Sequence, residues 1–393
     1  MPQLRYLTAG ESHGKSLTGI IDGIPAGLSL EAERDIDPIL RERQRGYGRS
    51  HRQKIEDDKA EILSGVRFGI TTGAPIAIKI ENKDWENWQE KMSAIPTEEE
   101  ISPVTIPRPG HADLAGAIKY QQKDIRNILE RASARETAMR VAIGAIAAIF
   151  LKELGIASVS FVKSIGDVSA DDSKKPAELD SLHKLLSESE LRMFDSSGEK
   201  KAKHLIDKAK KDGDTLGGII EAHFIGLPIG IGSHVQWDRK LDGLIAQAVM
   251  SIQAVKAVEI GGGISLAGIH GSECHDAIEI EDGEIVRSTN NAGGIEGGMT
   301  DGMPIIVRAA MKPISTLMRP LQSVDLATGN TAPSHIERSD VCAVPSLSVI
   351  VENVVAFTIA SALLDTFGGD TMSEVKERVA LRHKQGKLRN LIQ

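Results

Sequence analysis

The fold turns on Arg131-Ala-Ser-Ala-Arg-Glu-Thr-Ala-Met-Arg140 and its continuation, Val141-Ala-Ile-Gly-Ala-Ile-Ala-Ala-Ile-Phe-Leu151. The first half carries Arg131 and Arg135 four residues apart, with Ser133 and Glu136 in the Ser-x-x-Glu spacing of a capping box. The second half is almost wholly Ala, Ile and Gly and has no polar face, so a helix there must be buried on all sides. Such a helix, from Ser133 to about Glu153, would be roughly 30 Å long at ~1.5 Å per residue. It would thread the core and bring an N-terminus, two guanidiniums and a hydroxyl to one place. Helix N-termini attract anions, and Arg forks match phosphate or carboxylate bidentately. The stretch alone fits a capped core helix with ordinary salt bridges equally well.

Around this helix the chain is long enough, at 393 residues, to bury a large core as one domain or two. Its 41% hydrophobic and 26% charged residues exclude a disordered chain. A net charge of −8 argues against nucleic-acid or membrane-surface binding, so any anion site must be a local basic pocket. Cys274 and Cys342 form no CxxC pair and no zinc spacing, which suits free thiols in a reducing compartment. The start, Met-Pro-Gln-Leu-Arg-Tyr, has no apolar signal core, and Val141–Leu151 is far short of the ~20 residues of a membrane helix. A soluble, cytoplasmic protein is expected.

Strands are expected at Leu4–Thr8, Leu17–Asp22, Ala60–Phe68, Ala74–Ile80, Ala157–Ile165, Gly217–Gly226 and Pro304–Met311. Helices are expected at Leu30–Gln44, Leu241–Val255 and Pro345–Phe367, the last almost wholly apolar. Two histidines stand on glycine-bounded turns, His13 in Gly10-Glu-Ser-His-Gly14 and His111 in Arg108-Pro-Gly-His-Ala-Asp113. Arg41, Arg43, Arg45 and Arg49 surround Gly46, Tyr47 and Gly48, which reads as a flexible cationic loop for a multiply anionic small molecule. Asn82–Pro109 is irregular and long, as lids and binding loops are. Residues 169–213 read as a polar helical excursion on the surface, and 373–393 as an amphipathic basic tail. The glycine clusters at 259–263 and 291–298 let backbone approach a ligand closely, but fit neither a dinucleotide fingerprint nor a P-loop. Cys274, His275 and Asp276 are adjacent and cannot converge as a triad. Turn histidines, arginines, glycine-lined turns and no metal motif describe a pocket for a phosphorylated organic anion with acid–base chemistry.

Arg131-x-Ser-Ala-Arg-Glu-Thr137, Gly10-Glu-Ser-His-Gly14 and Arg338-Ser-Asp-Val-Cys-Ala-Val-Pro345, with stretches between them over nearly the whole chain, resemble the signatures of chorismate synthases. The resemblance implies a lyase that converts 5-enolpyruvylshikimate 3-phosphate into chorismate and phosphate, the last step of the shikimate pathway. The reaction is an anti 1,4-elimination that needs reduced FMN with no net redox change. The implied fold is α+β, one domain over residues 1–393: a β-α-β sandwich with long buried helices between antiparallel sheets, assembled as a homotetramer. By motif, His13 would protonate the departing phosphate and His111 would offset the charge of reduced flavin. Asp340 would assist removal of the substrate proton near flavin N5, with Ser12 and Ser133. Arg43 and Arg49 match positions tied to NADPH or to the substrate's anionic groups, and Arg135 joins the substrate site. The implied flavin contacts are Arg131, Ala132, Ser133, Gln253, Ala254, Gly297, Lys312, Pro313, Ile314, Ser315, Thr316 and Arg338. Many relatives carry Ser where this chain has Ala132, so a side-chain bond from that position is absent. A flavin-storage protein on the same fold would not need the proton donors, and a phosphosugar-type transferase would need a metal or nucleotide motif. Whether the chain reduces flavin with NADPH or relies on an external flavin reductase stays open.

Overall fold

The computed structural model describes residues 4–49, 56–281, 284–337 and 339–385. Two antiparallel sheets enclose a pair of apolar helices. The first sheet holds β1 (Arg5–Ala9), β2 (Ser16–Asp22), β3 (Ala60–Ile62) and β4 (Ile76–Glu81) in the order β1-β2-β4-β3. The second holds β5 (Ala157–Ile165), β6 (Val168–Ser169), β7 (Gly218–Ile225), β8 (Val255–Ile260) and β9 (Ile305–Met311) in the order β8-β9-β7-β5-β6. The five helices that matter most here are α1 (Asp37–Gln44), α2 (Arg126–Ala132), α3 (Thr137–Lys152), α4 (Leu241–Met250) and α5 (Val344–Phe367). Helix α3 packs between the first sheet and α5, and α5 lies against the second sheet. The architecture is α+β, and long buried helices fill the sandwich as expected.

Strand alternation explains which face each sheet turns inward. In β9, Ile305, Val307, Ala309 and Met311 are buried while the residues between them are partly exposed. The helices show no such alternation because both sides are covered: α5 buries apolar residues around its whole circumference. Among the described residues α5 is the one helix long and apolar enough to cross a membrane, yet 78% of its apolar window is buried inside the protein. It is a core helix. Gly144 sets the α3–α5 distance: a Cβ there would lie 2.4 Å from the Asn353 carbonyl oxygen, on the facing backbone. The Gly-Ala character of the opening stretch is thus a requirement of close helix approach.

Several boundaries differ from the sequence expectation, each for a local reason. The helix expected from Ser133 to Glu153 is broken at its start, because Ser133 is extended (φ −61°, ψ 143°) between α2 and a short 3-10 turn at Ala134–Glu136. The Ser133 hydroxyl accepts from the Arg135 amide at 3.3 Å, but Glu136 does not reach back to close a capping box. Its carboxylate instead binds Thr8, Arg140 and Gln253. The helix expected at Leu30–Gln44 opens as a π-helical turn, Ala32–Ile36, before α1. The run from Ala60 to Phe68 is β3 plus a small hairpin, Val66–Arg67 with Ile70–Thr71, because Phe68 and Gly69 both take positive φ. Helix α4 stops at Met250 and Val255 already belongs to β8, so Gln253 and Ala254 sit on the turn between them.

The supposed flexible arginine loop is pinned. Tyr47 donates its amide to Glu190 O and its hydroxyl to Asp207, and Gly48 O accepts from the Val341 amide at 3.0 Å. Gly48 (φ +83°) has no room for a Cβ, which would meet Ile206 at 2.7 Å. From residues 169–213, Leu182, Leu186, Ala202 and Ile206 join the same apolar cluster as both sheets and the central helices. The described part of the tail is a helix, Met372–Gln385, that buries Val375 and Val379; residues 386–393 lie outside the described part.

Candidate active site

His13 is held by a carboxylate 117 residues away in the chain. The turn after β1 returns so that the Ser12 amide donates to the Glu130 carbonyl at 3.0 Å and the His13 amide to Glu130 Oε2 at 2.8 Å. The imidazole Nδ1 lies 2.9 Å from both Glu130 carboxylate oxygens. Glu130 is fully buried on α2, with Arg126 one turn earlier at 3.5 Å. Trp88, from the long irregular segment, stacks on the imidazole at 3.9 Å between centroids. With Nδ1 engaged and one ring face covered, Nε2 is the nitrogen left to address a ligand. Beside it the Ser133 hydroxyl donates to Ser12 Oγ at 3.1 Å, across the break between α2 and α3.

His111 stands in a second cluster. Its Nδ1 meets Asp113, and Arg108 reaches the same carboxylate through Nε at 2.9 Å and the imidazole through Nη2 at 3.1 Å. Burial alone would raise the Asp113 carboxyl, but His111 and Arg108 outweigh it and hold it well below the usual carboxylate range. Arg108 also donates to Thr316 Oγ1 and to Glu337, each at 3.2 Å. For Glu337, too, burial is outweighed, by His335, Arg108 and the charge of His13, and its carboxyl is lowered. Glu337 therefore lies electrostatically between the two histidine clusters. Lys312 closes this side, its ammonium on the Gly110 carbonyl and its amide on Ala254 O at 3.0 Å.

The third cluster corrects the picture of unpaired cationic arginines. Arg43 donates to Asp58 Oδ2 at 2.8 Å, and Arg135 to Asp58 Oδ1 at 2.6 Å, to Asn82 Oδ1 at 2.9 Å and to Glu56 Oε2 at 3.4 Å. Burial pulls the Arg43 guanidinium below its ordinary value; Asp58 opposes this, and the neighbouring Arg135 and Arg49 add to it. Asp58 itself is raised by burial but lowered more by Arg43 and Arg135, for a net depression. Arg49 pairs with Asp340 at 3.1 Å. Next in the chain, burial pushes the Cys342 thiol up to about 11, which makes it an inert core group.

These clusters open on one cavity of about 380 Å³, within the range of small-molecule sites. Its lining combines apolar side chains, Ile252, Met311, Pro313, Leu347 and Ile350, with the histidines, arginines and hydroxyls. Ala254 lines it with φ +67°, a left-handed conformation that non-glycine residues adopt only where the surroundings enforce it. The Gln253 Oε1, Arg43 Nε and Arg49 Nε atoms are buried without a hydrogen-bond partner among the described residues. They are unspent acceptor and donor atoms on residues that line the cavity. No group of three or more His, Cys, Asp and Glu among the described residues could hold a metal ion.

Of the residues singled out from sequence, Ser12, His13, Arg43, Arg49, His111, Ala132, Ser133, Arg135, Gln253, Ala254, Lys312, Pro313, Ile314, Ser315, Thr316 and Asp340 line this cavity. Arg131 does not: its guanidinium turns away to Thr8 and the Gly10 carbonyl, because the kink at Ser133 separates it from Arg135. Gly297 lies outside the lining, in the turn between Ile295–Glu296 and Met299–Thr300. Arg338 lies outside the described residues. Glu130, Trp88, Arg108, Asp58 and Glu337 were not foreseen. Arg108 and Asp113 stand inside the motif around His111, and Glu130 immediately precedes Arg131, so the motif edges carried that signal. Trp88 stands in the irregular 82–109 segment that reads as a binding loop, whereas nothing local marked Asp58.

The model of the chorismate synthase family matches residues 4–364. The chain is 55% identical over 384 residues to the chorismate synthase of Aquifex aeolicus, covering 95% of this chain and 96% of that one. It is 54% identical over 383 residues to that of Syntrophotalea carbinolica, covering 96% and 97%. A crystal structure of a chorismate synthase superposes with a TM-score of 0.78 at 46% identity over 98% of both chains.

Proposed function

The chain belongs to the chorismate synthase family, and from that premise we propose how its cavity does the chemistry. It is a lyase that forms chorismate in the shikimate pathway. The substrate read here is 5-enolpyruvylshikimate 3-phosphate. In an anti 1,4-elimination the C–O bond to phosphate breaks, a C–H bond at the far end of the allylic unit breaks, and a conjugated diene forms. Phosphate leaves with the C–O electron pair, and the proton passes to a base.

Reduced FMN is the proposed cofactor, and the lining fits it. A lining that mixes apolar side chains with cations and hydroxyls suits a flat ring with an anionic tail, and Gln253 Oε1 is a buried acceptor still without a partner among the described residues. Gln253, Ala254 and the turn Lys312 to Thr316 would hold it. When bound, it supplies reducing electrons that the elimination does not consume.

The observation that carries this reading is His13, fixed on the cavity wall by Glu130 with Nε2 left for a ligand. There it protonates the departing phosphate, an anion that is a poor leaving group without charge compensation. Arg43 and Arg49, whose Nε atoms make no hydrogen bond among the described residues, bind the substrate's anionic groups, with Arg135 lining the cavity beside them. His111, oriented by Asp113 and Arg108, places a cation where charge accumulates on the cofactor side. Asp340, with Ser12 and Ser133, receives or relays the substrate proton. Arg131, Gly297 and Arg338 are kept as flavin contacts in this reading on the family resemblance alone. A homotetramer in the cytoplasm is the proposed setting, and sedimentation showing only monomer at micromolar concentration would count against it. The flavin is reduced either by NADPH on this chain or by a separate reductase. An anaerobic assay with chemically reduced FMN and 5-enolpyruvylshikimate 3-phosphate, run with and without NADPH, tests both. Chorismate formed with reduced FMN alone supports the assignment, and no chorismate in any arm refutes it.

A further inference from the structure

We propose that Glu130 is the positioning residue of the proton donor, a buried carboxylate that selects the tautomer of His13 and carries its counter-charge. The proposal rests on the reading of His13 above. Three observations carry it. The Glu130 side chain is fully buried, and both its oxygens lie 2.9 Å from His13 Nδ1. The same residue binds the His13 and Ser12 amides, so one side chain and one carbonyl set both the turn and the ring. Trp88 covers an imidazole face and leaves the ring few other orientations. A carboxylate that accepts from Nδ1–H commits the neutral ring to an acceptor at Nε2 and the doubly protonated ring to a donor there. That is the requirement of a group that gives a proton to phosphate and is then recharged.

The charged groups around the ring are few. Glu130 and Arg126 come from α2, Glu337 acts on it electrostatically from the segment before Asp340, Lys91 lies over Trp88, and Glu11 belongs to the same turn. Glu130 is the one hydrogen-bonded to the imidazole, so its charge dominates. Glu130→Gln keeps the size and part of the hydrogen bonding but removes the charge.

The test is the pH profile of kcat for wild type, Glu130→Gln and His13→Ala, with reduced FMN supplied chemically. Removing the buried counter-charge disfavours the protonated donor, so the limb on which activity falls as the donor deprotonates should move to lower pH in Glu130→Gln, with FMN affinity unchanged. Well above the limb, turnover should fall in Glu130→Gln relative to wild type. A merely structural Glu130 would lower the melting temperature and leave the limb in place; that result overturns the proposal. Full activity in His13→Ala would overturn the underlying reading of His13 instead, so the two failures are distinct. If Glu130→Gln does not fold, ¹⁵N-histidine spectra of the wild-type chain decide, with the His13 signal assigned by its loss in His13→Ala. A neutral Nδ1–H tautomer supports the proposal, and an Nε2–H tautomer overturns it.

Discussion

Replacing Asp58 by Asn removes one negative charge from between two buried guanidiniums while keeping the side chain's size. Asp58 is fully buried and receives 2.8 Å and 2.6 Å hydrogen bonds from Arg43 and Arg135, both of which line the cavity. A hydrogen bond to a charged group contributes about 1.5–3 kcal/mol. Breaking a buried ion pair from one side costs about 3–5 kcal/mol, because the remaining charge stays desolvated and uncompensated. Asn can still accept one bond, but it cannot balance two cations, so a loss of about 3–5 kcal/mol is expected near neutral pH. The pH dependence has a definite sign. The folded-state pKa of Asp58 is depressed, since Arg43 and Arg135 outweigh burial. Its charge therefore stabilises the fold above the unfolded value, about 3.9, and that stability is lost as pH falls through the lower folded value. Equilibrium urea unfolding followed by circular dichroism, for wild type and Asp58→Asn from neutral to about pH 3, measures both effects. The gap between the two proteins should be widest near neutrality and shrink on acidification. A neutral-pH loss below about 1 kcal/mol, or a gap that widens in acid, would refute the assignment of Asp58 as the counter-ion of both arginines.

Gly144→Ala should destabilise by about 1–3 kcal/mol despite Ala's better helix propensity, because the new Cβ meets the Asn353 backbone at 2.4 Å; a more stable variant in the same urea assay contradicts the close α3–α5 crossing. Arg49→Ala should weaken binding of the anionic substrate by about 1–3 kcal/mol, read by isothermal titration, and unchanged affinity would leave Arg49 as a partner of Asp340 alone. Asp340→Asn should lower turnover by roughly 10²–10⁴-fold with FMN binding retained, whereas near-normal turnover with a lower melting temperature would assign Asp340 to the ion pair with Arg49.

How much could be read without the structure depended on the range of the interaction involved. The central helices were legible because all-round burial is a local property: Val141–Leu151 and Pro345–Phe367 offer no polar face, so only a covered position is open to them. Strand β9 was legible to within a residue because a fixed register against a core writes period-two burial into the chain, whereas β5, legible end to end at Ala157–Ile165, is buried on both faces and shows no such alternation. The histidine turns were legible because Gly10 and Gly110, both at positive φ, mark the reversals that carry them. Their resemblance to family signatures located most of the cavity lining.

What each of those side chains does with its charge was not legible. Ser133 and Glu136 have the spacing of a capping box, yet Glu136 spends its carboxylate on Thr8, Arg140 and Gln253, which only the packed sheet and α4 bring within reach. Arg131 and Arg135 are four residues apart, and a backbone break at Ser133 sends one to the β1 turn and the other into the core. Asp58 joins Arg43 and Arg135 across 15 and 77 residues, and Glu130 meets His13 across 117. Burial patterns are set by a residue's immediate neighbours and recur along the chain, so they can be read from it. An ion pair forms only after chain closure has brought its members together, and its stability depends on distance and desolvation. Neither quantity exists until the sandwich has assembled.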